Sequence, residues 1–173
     1  GAGCRRYEAV ARTRRNRRAQ IHSAGRRDAG RAGVVPPDIE RVVLIGMGSS
    51  AYAGSVAATR MRARGIVASS DLASSQLLPA WSERTLVVAT SATGASAETI
   101  DALDRMPRSV HRVALTNTAG SAITQQCDAV VDLAAEAEVG GVACRSYQHT
   151  LALLLALECH LTGEGTAALP ARQ

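Results

Sequence analysis

Lysine and phenylalanine are absent from the chain, and aromatic residues make up only 2% of its 173 residues. Without lysine, the chain can form no lysine Schiff base and supplies no P-loop lysine. A base-stacking platform for single-stranded nucleic acid needs aromatic side chains, so the composition argues against that function too. Because apolar residues still make up 46% of the chain, the core has to be built from alanine, valine, leucine and isoleucine.

Cysteine pairs with redox or metal-binding spacing are also lacking. Cys4, Cys127, Cys144 and Cys159 form no C-x-x-C pair, and no set of histidines and carboxylates has the spacing of zinc ligands. We therefore expect no metal and no other cofactor, and we interpret the cysteines as buried free thiols. No apolar run reaches the length of a membrane span, and the start does not resemble a signal peptide. These features predict a cytoplasmic protein with no membrane partner.

Positive charge is concentrated at the start of the chain. Residues 1–33 hold ten arginines against Glu8 and Asp28, whereas the remainder has ten arginines against thirteen acidic residues. An arginine-rich arm can bind nucleic acid. This arm has no interleaved aromatics and no helix-turn-helix pattern, so we interpret it as a solvated extension and expect no nucleic-acid partner. Pro36-Pro37 closes the segment. We predict an extension over 1–36, a domain over 37–163 and a tail over 164–173.

Short apolar stretches alternate with helical stretches after Pro37. Such alternation predicts a parallel sheet with helices on both faces. The expected fold class is α/β, a three-layer αβα arrangement whose five-stranded parallel sheet has the flavodoxin-like order 2-1-3-4-5. In that order a ligand binds beyond the carboxyl ends of strands 1 and 3. The predicted strands are Arg41–Gly46, 65–69, Thr85–Thr90, His111–Thr116 and 128–133. The predicted helices are 7–21, 51–64, 71–78, Ala97–Asp104, 119–126 and 142–161.

Two loops rich in glycine and hydroxyl groups follow strands 1 and 3. The first loop, 46–52, reads GMGSSAY, and the second loop, 91–96, reads SATGAS. Gly48 lets the backbone approach a ligand, while Ser49 and Ser50 offer hydroxyls at a helix N-terminus, which attracts anions. Because the loops leave neighbouring strands, we predict that they hold one phosphate between them. The second loop supplies Ser91, Thr93, Gly94 and Ser96. A third loop, 116–121, lies one strand further out, and we interpret it mainly as turn chemistry, with a part in lining the pocket as the alternative.

Residues 41–161 resemble an SIS (sugar isomerase) domain, in particular that of glucosamine-6-phosphate synthase and of related amino-sugar-phosphate isomerases and deaminases. The first loop resembles the family's Cys-Gly-Thr-Ser-Tyr segment, in which Ser49 and Ser50 match the Thr-Ser pair that touches the sugar phosphate. The second loop resembles Ser-Gln-Ser-Gly-Glu-Thr, whose three hydroxyl residues match Ser91, Thr93 and Ser96. The resemblance implies that the partner of the chain is a phosphorylated sugar or amino sugar.

The chain departs from the family pattern at several polar positions. Ala92 and Ala95 stand where the family has Gln and Glu, Ala143 replaces a Ser, and Arg145 replaces a Lys. The family's amino-sugar enzymes also use two such domains in tandem, with the catalytic Glu, His and Lys in the second. In addition, the stretch 151–157 is apolar nearly all round and has to be buried. We therefore expect a homodimer or a tandem SIS partner.

Two residues are candidates for acid–base chemistry. Isomerisation of a sugar phosphate needs a base that moves a proton between C1 and C2 of the opened sugar. Glu138, between strand 5 and the last helix, is the candidate base, and its alternative role is that of a surface or helix-start carboxylate. His149, on the last helix, is the candidate for opening the sugar ring across a dimer. Its alternative role is that of a helix-face histidine at an interface.

Two other functions stay open at this point. The sequence from Gly46 to Ala51 fits the dinucleotide pattern G-x-G-x-x-G/A, and Asp71 lies near the distance expected for a ribose-binding carboxylate. The hydroxyls of the second loop argue against a nucleotide site, and so does the expected position of Asp71 beyond the end of strand 2. A non-catalytic sugar-phosphate sensor is the other alternative, which the alanine replacements favour.

Overall fold

A computed structural model of the chain describes residues 34–135 and 144–163. Within them, five strands form one parallel sheet in the order 2-1-3-4-5. This confirms the predicted α/β class and strand order. In chain order the elements are β1 (Arg41–Gly46), α1 (Ser49–Ala63), β2 (Val67–Leu72), β3 (Thr85–Thr90), α2 (Ala97–Asp104), β4 (His111–Thr116), a 3-10 helix (Ala122–Gln126), β5 (Ala129–Asp132) and α3 (Cys144–Leu161).

Alternate residues of the central strands serve two separate cores. Val42 and Leu44 of β1 pack on the side of α1 and α3, whereas Val43 and Ile45 pack on the side of α2 and the 3-10 helix. Every residue of β3 and β4 is buried, as expected for parallel strands covered on both faces. The sheet is therefore the middle layer of a three-layer αβα arrangement.

Small side chains let α1 lie close to the sheet. The buried residues of this helix are three alanines, a glycine and a methionine. A Cβ added at Gly54 would lie 2.7 Å from the Ser70 Oγ of β2, which is closer than packed atoms approach. This contact shows how a chain without phenylalanine reaches dense packing, since its layers are brought together rather than filled with large side chains.

The second strand and the helix predicted after it differ from the sequence-based expectation. The strand is not 65–69 but Val67–Leu72, and it pairs with β1 along its whole length, up to Leu72 opposite Gly46. The helix predicted over 71–78 is therefore wrong, because its first two residues belong to β2. The strand lies at the edge of the sheet, and both of its end residues are more than half exposed. It thus lacks the continuous apolar run that marks the buried strands.

Other differences are confined to the ends of elements. A 3-10 helix, Ala122–Gln126, replaces the helix predicted over 119–126, and α1 begins two residues earlier than predicted. The described part of the predicted helix 142–161 is confirmed as Cys144–Leu161. The helix predicted over 7–21 lies outside the described residues. The division of the chain at 1–36, 37–163 and 164–173 stays a prediction.

The cysteines divide between buried and exposed positions. Cys127 and Cys159 are buried free thiols, as predicted, whereas Cys144 at the start of α3 is exposed, contrary to the prediction. Burial raises the pKa of the Cys127 thiol to about 12, so this group is a poor nucleophile at neutral pH. Cys4 lies outside the described residues. None of the described helices has the length and apolar character needed to cross a membrane.

An ion-pair cluster around a buried carboxylate joins α1 to α3. Glu158 is fully buried, and its two carboxylate oxygens accept hydrogen bonds from Arg60 at 3.0 and 3.2 Å and from Arg64 at 3.1 Å. Removing the carboxylate takes from both guanidinium groups, which are 38% and 22% exposed, the buried anion that they share, and this costs more than the net gain of forming the pair. The cluster therefore fixes how the two helices lie against each other on this face of the sheet.

Replacing Glu158 with Gln should lower the free energy of unfolding by about 3 kcal/mol, because both guanidinium groups lose the carboxylate that they bind. Glu40→Gln is the matched control, since Glu40 is 57% exposed and pairs with Arg84 at the surface. That change should cost about 1 kcal/mol or less. Urea denaturation measures both values. Equal losses in the two variants would show that the cluster contributes no more than a surface pair.

Candidate functional site

The first and second loops begin side by side at the carboxyl edge of the sheet. Gly46, the last residue of β1, is paired with Thr90, the last residue of β3. A Cβ added at Gly46 would lie 2.8 Å from the Ser50 Cβ and 3.0 Å from the Thr90 carbonyl oxygen. Glycine is required at this position because the first turn of α1 and the end of β3 both approach its Cα. The two loops therefore leave the sheet in contact with each other.

The first loop leads into a helix without a side-chain cap. Gly48 occupies the N-cap position of α1, with φ +52° and ψ −126°, and no side chain caps the helix there. The Ser50 amide donates to the Met47 carbonyl at 3.1 Å. Ser49 and Ser50, the first two helical residues, are half-buried. An uncapped N-terminus with two adjacent hydroxyl groups is suited to binding an anion.

The second loop closes on itself through hydrogen bonds. The Gly94 amide donates to the Ser91 carbonyl at 2.9 Å, and the Ser96 amide donates to the Ser91 Oγ at 3.4 Å. The Ala95 amide donates to the Thr93 Oγ1 at 3.3 Å. Ser91 is buried at the base of the loop, whereas Thr93 is exposed at its tip. Of the three predicted hydroxyl groups, that of Thr93 is the most accessible to a ligand.

Ser96 and Glu98 form the start of α2. The Ser96 Oγ accepts a hydrogen bond from the Thr99 amide at 3.3 Å and donates one to the Glu98 carboxylate at 3.0 Å. The pKa of Glu98 is held below its ordinary value of 4.5 by a hydrogen bond to its own backbone amide and by the Ser96 hydroxyl. The carboxylate is therefore ionised at neutral pH beside the positive end of α2. Since α2 already carries this negative group, an added anion is better placed at α1.

All seven predicted phosphate-binding residues lie at this one edge of the sheet. Three belong to the first loop and four to the second, and the paired strand ends bring the two groups together. The contact of these residues with a ligand stays a prediction. The residues are Gly48, Ser49, Ser50, Ser91, Thr93, Gly94 and Ser96.

Of the two acid–base candidates, His149 is described and Glu138 is not. His149 lies on the second turn of α3, and its Nδ1 is 2.8 Å from the Leu133 carbonyl oxygen, just beyond the end of β5. Because a carbonyl only accepts, Nδ1 carries the proton of this bond. In the neutral ring, Nε2 is then the acceptor. Glu138 lies outside the described residues, so its role as a base stays a prediction.

The third loop has a role that the sequence did not reveal. The Asn117 amide donates to the Ala92 carbonyl of the second loop at 3.0 Å. The Asn117 Oδ1 accepts from the Ala135 amide at 3.0 Å, on the segment that follows β5. We predicted mainly turn chemistry here. The contacts show that this loop also connects the second loop to the β5–α3 side of the edge.

Asp71 also lies where the sequence did not place it. It is the penultimate residue of β2, opposite Ile45, and its Oδ2 accepts a hydrogen bond from the Ser69 Oγ at 2.9 Å. The argument that Asp71 falls beyond the strand end is therefore wrong. The case against a dinucleotide site then depends on the second loop alone.

Two cavities of the structure lie away from these loops. One, of about 480 Å³, is at the C-terminal ends of α1 and α3, where Arg64 and Thr162 line it. The other, of about 370 Å³, is an apolar groove between α3 and the β3–β5 face of the sheet. Among the residues described, no three histidine, cysteine or carboxylate groups are placed to hold a metal ion. Neither of these two cavities is lined by residues of the first or second loop.

Comparison with known proteins gives one family and several similar folds. The family model of the SIS domain matches residues 38–158. The C-terminal domain of a glucosamine-fructose-6-phosphate aminotransferase from Francisella tularensis is 18% identical, with a TM-score of 0.68 over 77% of this chain and 38% of that one. A glucosamine-6-phosphate deaminase from Thermotoga maritima is 23% identical, with a TM-score of 0.64 over 73% of this chain and 41% of that one.

A third similar structure is the Vibrio vulnificus NanR protein, complexed with ManNAc-6P. It is 23% identical, with a TM-score of 0.57 over 73% of this chain and 50% of that one. At these identities the likeness shows a shared fold. The chain spans half or less of the length of each of the three proteins. No curated protein matches the chain.

Gly94→Ala should destabilise the protein more than Gly120→Ala. Both glycines have positive φ, +68° and +71°, so both substitutions incur the backbone strain of about 1–2 kcal/mol. Only at Gly94 would the new Cβ collide with the Ser121 side chain, while nothing lies within 4 Å at Gly120. The collision should add about 1–3 kcal/mol. Thermal or urea unfolding measures the difference, and equal costs would mean that Ser121 moves aside freely.

Proposed function

The chain belongs to the SIS domain family, and on that premise we propose that it binds a phosphorylated sugar or amino sugar at the carboxyl edge of its sheet. The observation that supports this most is the pairing of Gly46 with Thr90, which starts both hydroxyl-bearing loops at one point. Parallel α/β sheets bind ligands at such an edge, where the strand order reverses. A dianionic phosphate suits the loops, since they offer hydroxyl and amide donors.

The phosphate is proposed to sit at the N-terminus of α1. Gly48 leaves that helix end without a cap, and Ser49 and Ser50 add hydroxyl donors there. Thr93 approaches from the tip of the second loop, where it is exposed. Ser91 and Ser96 hydrogen-bond within the second loop and its helix, so their proposed part is to shape the loop, together with Gly94.

Catalysis is the finer part of the proposal. An aldose–ketose isomerisation needs a base that removes the proton from C2 of the opened sugar and returns it to C1, which we assign to Glu138. We assign ring opening to His149, whose Nδ1 bond to the Leu133 carbonyl leaves Nε2 able to take the proton of the anomeric hydroxyl and return it to the ring oxygen as the ring C–O bond breaks. Amino-sugar isomerisation or deamination uses the same two kinds of group.

A second SIS domain or subunit is proposed to complete the site. The chain spans half or less of the length of the similar proteins. A homodimer or a tandem partner would enclose the sugar and supply polar groups where Ala92 and Ala95 have none. A cytoplasmic location and a part in amino sugar metabolism belong to the same proposal, and the free thiols of Cys127 and Cys159 fit a reducing compartment.

Two alternative functions have their own supporting observations. Asp71 lies at the end of β2, where a dinucleotide site would place its ribose-binding carboxylate. A non-catalytic sugar-phosphate sensor is favoured by the loss of side-chain polar groups at Ala92 and Ala95. The sensor shares the phosphate site with the enzyme, whereas a dinucleotide site would not require Thr93.

Calorimetric titration with fructose-6-phosphate and glucosamine-6-phosphate tests the binding proposal, with NAD as the competing ligand. Thr93→Val should weaken sugar-phosphate binding roughly ten-fold, because a hydrogen bond to a charged group is lost. Thr118→Val, at another exposed loop threonine, is the matched control and should bind as the wild type does. Binding of NAD without binding of either sugar phosphate would reject the proposal in favour of the dinucleotide alternative.

Turnover of the same two sugar phosphates separates the enzyme from the sensor. His149→Gln should abolish conversion, or reduce it at least a hundred-fold, while the dissociation constant changes little, since general acid–base groups contribute about 10²–10⁴ in rate. Wild-type protein that binds a sugar phosphate but converts none of it, alone or as a dimer, would favour the sensor. Unchanged turnover in His149→Gln would remove this residue from the mechanism.

A further inference from the structure

The second loop is held in place from the neighbouring strand and not only by its own hydrogen bonds. Two donors converge on the carbonyl oxygen of Ala92: the Asn117 amide at 3.0 Å and the Thr116 Oγ1 at 3.3 Å. The Ile123 amide donates to the carbonyl oxygen of Gly94 at 3.1 Å. The backbone on both sides of Thr93 is thus tied to β4 and to the segment that follows it.

Thr116 is the residue whose side chain hydrogen-bonds the second loop from β4. It is the last residue of β4 and only 2% exposed. Its hydroxyl donates to the Ala92 carbonyl at 3.3 Å and accepts from the Thr118 amide at 3.2 Å. Both hydrogen-bonding roles of the hydroxyl are therefore used within the protein, one toward each loop. This buried hydroxyl therefore connects the second loop to the third loop and is not placed to bind the ligand itself.

The packing of Ser121 against Gly94 supports the same conclusion. A Cβ added at Gly94 would collide with the Ser121 side chain, and this Cβ would also lie 3.0 Å from the Thr116 Oγ1. The Ser121 Oγ is buried without a hydrogen-bond partner among the described residues. Its contribution is therefore contact, which limits movement of the second loop toward the 3-10 helix. The hydrogen bonds from residues 116, 117 and 123 and the contact with Ser121 together leave the second loop few other conformations.

We propose that Thr116 is a positioning residue for the phosphate site. Its hydroxyl fixes the Ala92 carbonyl and thereby the direction in which the next residue, Thr93, presents its own hydroxyl. A loop ordered before the ligand arrives loses less conformational entropy on binding, so this order contributes to affinity. The inference rests on the proposed function, since it concerns the same phosphate site.

The experiment compares three variants of matched chemistry. Thr116→Val keeps the shape of the side chain but removes the hydroxyl, whereas Thr116→Ser keeps the hydroxyl. Thr85→Val is the control, because Thr85 is fully buried at the opposite end of β3 and its Oγ1 accepts from the Ser82 amide at 3.2 Å. The measurements are the dissociation constant for fructose-6-phosphate, urea unfolding, and hydrogen exchange of the Asn117 and Ile123 amides without ligand.

Thr116→Val should weaken fructose-6-phosphate binding about three- to ten-fold, a loss typical of reduced preorganisation. Thr116→Ser should restore binding to within about two-fold, and Thr85→Val should bind as the wild type does at a similar cost in stability. Exchange at the Asn117 and Ile123 amides should be faster in Thr116→Val alone. Equal losses of affinity in Thr116→Val and Thr85→Val would overturn the inference, because a general loss of stability would then explain both.

Hydrogen exchange keeps this inference separate from the proposed function. If the wild-type protein binds neither fructose-6-phosphate nor inorganic phosphate, the proposed function fails and Thr116 positions no phosphate site. Faster exchange at the Asn117 and Ile123 amides in Thr116→Val would then still support its hold on the second loop. Unchanged exchange in Thr116→Val, whatever the affinities are, would overturn that hold as well.

Discussion

The pairing of β1 with β3 is the constraint on which the candidate site depends. It brings Gly46 opposite Thr90, and these two residues start the two loops that carry the hydroxyl groups. The approach of Ser50 and of the Thr90 carbonyl to the Gly46 Cα leaves no space for a side chain. A change that shifted this register by one residue would separate the loops and also turn the apolar residues of β1 toward the wrong core. The hydrogen bonds between β1 and β3 therefore determine both the position of the two loops and the packing of the core residues of β1.

The two helix N-termini at this edge are chemically different, although the sequences before them look alike. The start of α2 is capped by Ser96 and carries the ionised Glu98, whereas α1 begins at an uncapped Gly48. An anion approaching the edge therefore meets a satisfied helix end on one side and an open one on the other. This asymmetry is the reason why we propose direct contact with the phosphate for the first loop and Thr93, and a supporting part for Ser91 and Ser96.

Much of the fold could be predicted from the sequence, because the central strands have to be apolar on both faces. Val42 to Ile45 and the equivalent runs in β3 and β4 show this directly. The edge strand β2 could not be placed as well, since one side of it meets solvent and its serines and Asp71 resemble a loop. The loops were recognisable from glycine and hydroxyl residues and from family resemblance. Which of their hydroxyl groups turn inward could not be recognised from the sequence. The hydrogen bond from Thr116 to the second loop could not be foreseen either, because it joins residues 24 positions apart in the chain.

The cluster of Glu158 with Arg60 and Arg64 has a consequence for how this sequence can change over evolutionary time. Losing the carboxylate leaves two cations side by side between α1 and α3, and losing the arginines leaves a buried anion. Each single step is penalised, while the joint replacement of all three by apolar residues of similar volume is often neutral or even stabilising. Related chains are therefore expected to carry either the whole charged triad or a wholly apolar one. The three positions would then co-vary as a block, although Glu158 lies 98 and 94 residues after the two arginines along the chain.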